Sequence, residues 1–375
     1  MTYPIEPVYF IFPAVCLLIS LVKPHTGKHL SSVLGTAFIF VYSFSMNGAD
    51  YTNYKILYNA IATGHSLTSV HGEIGYNILV WICCRLGISY PAFRLLLLVT
   101  VSVVMLVAVY KISDNFGLSM FFITSMFLIY TISAYRQFIV MAFSLLWMYV
   151  FSKGQHRKAI IGTLFLPFFH ISALVPLGLM ILFDLVPRQR TERAIVFIRK
   201  NIYYLAAIAC VLRVLNTVLL KMGPVRAIVA KILAGHASPQ PTLFTFGLVS
   251  RVAFIILLGY MYSVRRPKDE LTHMLYWYYM FGMLIYVAVP LELFMGRLMN
   301  NVNILSAVLV PLLLYGRREP AEKDPHLSAE TGHKLLNNLK LSATALVLVA
   351  FAVLLSQLLK QGGYYPYANI LSSWF

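Results

Sequence analysis

The 375-residue chain is poor in charge: 30 Lys and Arg and 13 Asp and Glu make up 11% of it, against 59% hydrophobic residues. A soluble domain carries about a quarter of its residues charged, so a water-soluble globule is excluded and a polytopic membrane protein is expected. Each span needs about 20 apolar residues, which leaves room for on the order of ten. Cysteine is scarce: Cys16, Cys83, Cys84 and Cys210 all lie in apolar runs, and two are adjacent. That spacing builds neither a disulfide framework nor a metal site. There is no glycine-rich phosphate loop and no Asp-rich cluster, which argues against a sugar nucleotide held in a soluble domain. Internal repeats and low-complexity tracts are also lacking.

The net charge of +17 falls mostly in short clusters between apolar runs, such as "SKGQHRK" (152–158) and "SVRRPKDE" (263–270). This is the positive-inside pattern, which also suits anionic lipids and gives no reason to invoke nucleic acid. The opening "MTYPIEP" has no basic n-region and no cleavage site after the first apolar run, so it reads as leading into a retained span.

Placing the basic clusters on the cytoplasmic side predicts ten spans, over 8–22, 30–46, 95–110, 116–133, 137–151, 202–220, 243–262, 271–289, 294–315 and 341–359. Two segments must then not cross. Residues 74–90 have too short an apolar core and are expected as an interfacial helix. Residues 159–186, basic at both ends, are expected as a re-entrant hairpin bending near Pro167, with its tip lining something. The fold expected is all-α and polytopic, one membrane-embedded domain over 1–375. It has an extracytoplasmic loop at 47–94, a cytoplasmic loop at 316–340 and an extracytoplasmic tail at 360–375.

Residues 116–151 contain one charge, Arg136. An arginine at mid-membrane costs roughly 2.5–3.5 kcal/mol on the most lenient scale, so it needs a reason. The predicted topology puts it at a membrane edge between two spans, on the face that also receives four other polar segments. These carry Asp50 with Tyr51, Tyr54 and Tyr58; Glu73 with Gly75 and Tyr76; His170 to Ser172; and Arg297, while Gln137 follows Arg136 directly. Each has a plainer role as a loop acid, a carbonyl-bonded histidine, a snorkelling arginine or an interfacial tyrosine. Together they suit an anionic lipid head group. Arginines grip phosphate in a fork, a carboxylate or histidine moves a hydroxyl proton, and aromatic faces stack on sugar rings.

The ordered set "GADYTNY", "GEIGYN", "YRQF", "FFHISAL", "GRLMNNV" and "YYPY", from about residue 47 to 367, resembles the EpsG-like branch of Wzy-type polysaccharide polymerases. These are integral membrane glycosyltransferases of bacterial surface-polysaccharide pathways. The resemblance implies a GT-C-like architecture in the bacterial inner membrane, with the active face extracytoplasmic and neither metal nor cofactor. It implies transfer of an undecaprenyl-pyrophosphate-linked glycan onto a lipid-linked repeat unit, with inversion at the anomeric carbon. A chain-length regulator and a flippase of the same pathway are implied partners. Carried onto this sequence, Arg136 and Arg297 would hold the pyrophosphate, and His170 with Asp50 or Glu73 would position or deprotonate the acceptor hydroxyl. Gln137, Tyr51, Tyr54, Tyr76 and Ser172 would complete substrate binding. One departure is that "MNNVNIL" follows Arg297 where an aromatic is expected. Two alternatives remain: a flippase of lipid-linked oligosaccharide, which would spread its cations through the membrane thickness, and an envelope-glycan O-acetyltransferase, which would need acyl-CoA from the cytoplasmic side.

Overall fold

A computed structural model of the chain describes residues 7–361, except 24, 26, 45–49, 71, 128–132, 187, 223–242, 266, 268 and 317–328. The expected outer tail beyond 361 and much of the expected 316–340 loop therefore lie outside the described residues. Among those described there are helices and no strand. Five helices are long and apolar enough to cross a membrane: Tyr90–Ile112, Gln189–Lys221, Phe246–Arg265, Phe294–Tyr315 and Leu336–Gln357. Shorter apolar helices accompany them, including Val8–Val22, Ile74–Arg85 and Phe116–Met126. The protein is an all-α polytopic membrane protein.

The chain divides into two compact units, 1–177 with 351–375 and 178–350. In the first unit α1 (Val8–Val22) packs along α6 (Phe116–Met126). Asn115 caps α6, accepting from the Leu118 N–H at 2.9 Å, while its amide donates to the Ser20 carbonyl of α1 at 3.3 Å. Helix α2 (Lys28–Phe38) continues as a π-turn, Ile39–Ser43.

The segment after residue 49, expected as loop, contains α3 (Tyr51–Ala62). It buries Tyr54, Leu57, Tyr58 and Ile61, and this i, i+3, i+4, i+7 spacing is one amphipathic face. It packs against α4 (Ile74–Arg85), the expected interfacial helix, which ends five residues earlier than expected, at a turn with Gly87 at φ 70°. That left-handed position suits glycine, and Gly87 N–H closes the helix end on the Cys84 carbonyl at 3.1 Å.

Helix α5 (Tyr90–Ile112) starts five residues before the predicted span and takes Arg94 inside it. It lies along α7 (Tyr135–Ser152). Helix α6 runs to Met126, and residues 128–132 of the span predicted to 133 lie outside the described residues. Beyond α7 come α8 (His156–Leu164), two 3-10 turns (Leu166–Phe168 and Ile171–Ala173) and α9 (Leu174–Leu185). The helix breaks where Pro167 predicted a bend, because proline lacks the N–H that would continue it.

In the second unit α10 (Arg188–Lys221) runs through the basic cluster into the predicted span, with Asn201 out of helical geometry at φ −114° and ψ 15°. It packs against α11 (Phe246–Arg265) and α12 (Glu270–Ala288). Arg213 of α10 is buried and donates to the carbonyls of Leu243 (3.1 Å), Val287 (3.3 Å) and Val289 (3.0 Å), while Asn216 donates to that of Ala288 at 3.0 Å. Together they satisfy carbonyls that the end of α12 leaves over. Arg251 lies 4.4 Å over the Tyr286 ring and bonds the Gly247 carbonyl at 2.9 Å. The predicted span at 294–315 is built from α13 (Glu292–Asn303) and α14 (Ser306–Tyr315), and α15 (Ala329–Gln361) follows.

Candidate functional site

The polar residues of the first unit meet where three helix starts and one turn converge. Arg136 stands in the first turn of α7, Glu73 is the residue just before α4, and Tyr54 lies on the buried face of α3. Arg136 Nη1 forms an ion pair with Glu73 Oε2, both side chains being half-buried. The Arg136 guanidinium also donates through Nε to the Tyr54 hydroxyl at 3.4 Å and sits 5.6 Å from the Tyr54 ring centre. Burial pushes the Tyr54 hydroxyl above the usual phenol range, with Arg136 pulling the other way, so Tyr54 stays neutral.

The other oxygen of Glu73, Oε1, accepts the Ile171 N–H at 3.4 Å. One carboxylate thus links the arginine to the turn that carries His170. Gly75 makes that contact possible, because a Cβ there would stand 2.7 Å from the Phe168 carbonyl oxygen. Gly72, at φ 141°, passes close to Arg136, where a Cβ would be 3.2 Å from Nη1 and 3.0 Å from Asn77 Oδ1.

His170 is the extended residue before the second 3-10 turn. Its Nδ1 accepts the Ser172 N–H at 3.2 Å and lies 2.7 Å from Ser172 Oγ. A backbone N–H can only donate, so Nδ1 carries the lone pair and the neutral ring holds its proton on Nε2. Ser172 therefore sets the tautomer of His170.

A second arginine stands behind the first. Arg94 is fully buried, donates from Nε to the Tyr135 hydroxyl at 2.6 Å, and lies over the rings of Tyr135 (5.1 Å) and Tyr51 (5.8 Å). Tyr135 stacks on Tyr54 with ring centres 4.5 Å apart, so a pair of tyrosines separates the two guanidiniums. Tyr76 closes on Tyr54 at 5.4 Å; its buried hydroxyl and Asn77 Oδ1 have no hydrogen-bond partner among the described residues. Buried polar atoms of this kind are uncommon and fit a place where ligand or water binds.

Of the residues expected at the site, the fold brings Glu73, Arg136, Tyr54 and Tyr76 into contact, with His170 and Ser172 on the adjoining turn. Tyr51 lies one layer back, beneath Arg94. Asp50 precedes α3, its N–H donating to Ser133 Oγ at 2.9 Å, and Gln137 is buried beside Arg136. Arg297 is exposed on α13 of the second unit. Three residues escaped the sequence reading: Arg94, Tyr135 and Asn77. Arg94 had a signal, a lone arginine one turn into the apolar run "YPAFRLLLLV".

No curated protein and no solved structure matches the chain. The model of the EpsG family matches residues 28–323, well over half of the chain and a range that includes every side chain described at the site. A polytopic helical chain matched over that length belongs to the EpsG family, a family of Wzy-like polysaccharide polymerases.

Proposed function

We propose that the protein polymerises a bacterial surface polysaccharide, transferring an undecaprenyl-pyrophosphate-linked glycan onto a lipid-linked repeat unit at the outer face of the inner membrane. The observation that carries this reading is the Glu73 carboxylate held between the Arg136 guanidinium and the His170 turn. An arginine, a carboxylate and a histidine then stand around one site: a cation for the pyrophosphate leaving group, a base for the hydroxyl nucleophile and a neutral hydrogen-bond donor.

In the proposed reaction the pyrophosphate takes the place of Glu73 on Arg136, which offers it the planar fork of the guanidinium. Arg297 is the second phosphate ligand carried over from the family resemblance. The acceptor hydroxyl attacks the anomeric carbon from the side opposite the pyrophosphate, the bond to the leaving oxygen breaks, and configuration inverts. The freed Glu73 carboxylate takes the hydroxyl proton, with Asp50 as the other carboxylate near Tyr54. His170, protonated on Nε2, donates to the departing phosphate and neutralises charge as it develops. Tyr54 and Tyr76 supply ring faces for the sugars, Gln137 and Ser172 hold their neighbours in place, and no metal or cofactor is required.

Arg213 and Arg251, both on apolar helices of the second unit, are engaged by backbone carbonyls or an aromatic ring of that unit. This favours an enzyme over a flippase. The test is mass analysis of lipid-linked glycans with and without the protein. Single repeat units accumulating on the outer leaflet support polymerisation. Units trapped on the cytoplasmic leaflet would identify a flippase, and full-length polymer lacking acetyl groups an O-acetyltransferase.

A further inference from the structure

The turn that carries His170 also walls an apolar cavity of about 340 Å³. Leu79 of α4, Ile139, Phe143 and Trp147 of α7, and Leu166 and Phe169 of the turn face into it. All six belong to the segments that hold the polar cluster. Ile139 is one turn beyond Arg136, Phe169 precedes His170, and Leu79 lies on the helix that follows Glu73. Among the lining side chains only the Thr100 hydroxyl and the Trp147 indole N–H are polar, and none is charged.

Such a lining offers too few partners to hold ordered water, which needs two to four hydrogen bonds. Its proper content is hydrocarbon. An apolar cavity and a guanidinium carried by the same segments select an amphiphile, with its anionic head at Arg136 and its chain in the cavity. The volume is at the low end for small-molecule pockets, enough for the head-proximal part of a long chain and not for all of it. The walls set four flat rings, Phe143, Trp147, Phe165 and Phe169, among branched aliphatic side chains. A methyl-branched chain fills the gaps between rings better than a straight acyl chain and makes more close contacts there.

We propose that this cavity holds the first isoprene units of the polyprenyl chain of the lipid-linked substrate, with the attached pyrophosphate on the Arg136 side. This rests on the function proposed above for its choice of head group. It adds a place for the chain and a reason for the broken helix at Pro167: Leu166 of the first 3-10 turn and Phe169 after it line the cavity, and His170 follows Phe169 directly.

The test places the photoreactive residue p-benzoylphenylalanine at Phe143 in the full chain. The protein is reconstituted in vesicles of phosphatidylethanolamine and phosphatidylglycerol containing radiolabelled undecaprenyl pyrophosphate. The same residue at Phe40, which is 51% exposed, reports ordinary lipid contact. Polyprenyl adduct at Phe143 is expected at about tenfold the Phe40 level, and Arg136→Gln should lower it by about the same factor. Equal labelling at the two positions, or adducts at Phe143 formed mainly with phospholipid, would overturn the proposal. A second variant, Thr100→Trp, fills the cavity from α5. It should raise KM about tenfold both for an undecaprenyl-linked repeat unit and for a farnesyl-linked analogue, which share the first isoprene units, while leaving that for an analogue with a methyl group in place of the prenyl chain unchanged; an unchanged KM for the two prenyl-linked substrates, or an equal rise for all three, would also count against it. If the adduct forms as expected but cells lacking the protein still make full-length polymer, the cavity assignment stands and the polymerase reading falls. If polymer depends on the protein and the adduct is missing, the cavity assignment alone falls.

Discussion

Gly75 of α4 and the carbonyl of Phe168 are in direct contact: a Cβ on Gly75 would stand 2.7 Å from that oxygen and 2.9 Å from the Phe168 Cβ. Backbone cannot swing aside as the end of a side chain can. Gly75→Ala should therefore part α4 from the turn and draw Glu73 away from the Ile171 N–H. The expected cost is about 1–3 kcal/mol of stability, read as a lower melting temperature in detergent, with loss of polymer. A variant with unchanged melting and unchanged polymer would show that the contact is dispensable.

Arg136→Lys keeps the positive charge and loses the fork. If phosphate is held by two parallel hydrogen bonds, kcat/KM should fall by about 10²-fold, as it does when one preorganised donor is removed. Wild-type polymer length at wild-type expression would sink this assignment.

Glu73→Gln removes both the charge that pairs with Arg136 and the proposed base. Turnover should drop about 10²–10⁴-fold, the usual weight of a general base. Asp50→Asn should cost less, because the Asp50 contact in hand is made by its backbone N–H to Ser133 and survives the change. The reverse order, with Asp50→Asn the more damaging, would move the base to Asp50.

The tautomer set by Ser172 distinguishes two replacements of His170. A glutamine amide can place a donor near the Nε2 position, whereas the shorter asparagine places one near Nδ1. His170→Gln should retain more activity than His170→Asn, measured as polymer formed per unit of membrane protein. Equal loss in both would mean that His170 acts through its basicity.

Arg213→Leu leaves the carbonyls of Leu243, Val287 and Val289 without their donor. Each unpaired buried acceptor costs about 1–3 kcal/mol, so solubilised protein should melt earlier and accumulate to a lower level. The protein that survives should still make polymer of normal length. Loss of lipid-linked units from the outer leaflet, at normal expression, would instead put Arg213 on a transport path.

Much of the fold was legible because it follows from local hydration. Apolar runs marked the helices, among them the short one at Ile74–Arg85, and Pro167 marked the break. Where the reading missed, the signal was mixed. Helix α3 was passed over because half of its apolar face is tyrosine, Tyr54 and Tyr58, a residue common in loops and at membrane interfaces. The start of α5 was set too late because Arg94 was treated as a flank, whereas the rings of Tyr51 and Tyr135 shelter it inside the protein.

The sequence by itself determined that this is a helical membrane protein, where its basic clusters lie, and the ordered motifs it shares with the EpsG family. These depend on residue type and spacing along one segment. Only the tertiary structure decided that Glu73 pairs with Arg136, 63 residues away, and reaches Ile171, 98 residues away. It also decided that His170 carries its proton on Nε2, and that the segments holding the charges also line an apolar cavity. Such pairings are set by how helices pack, and no single stretch of sequence contains both partners. Arg136 is accommodated for the same reason: a carboxylate and a tyrosine from two other helices surround a charge that its own segment leaves alone.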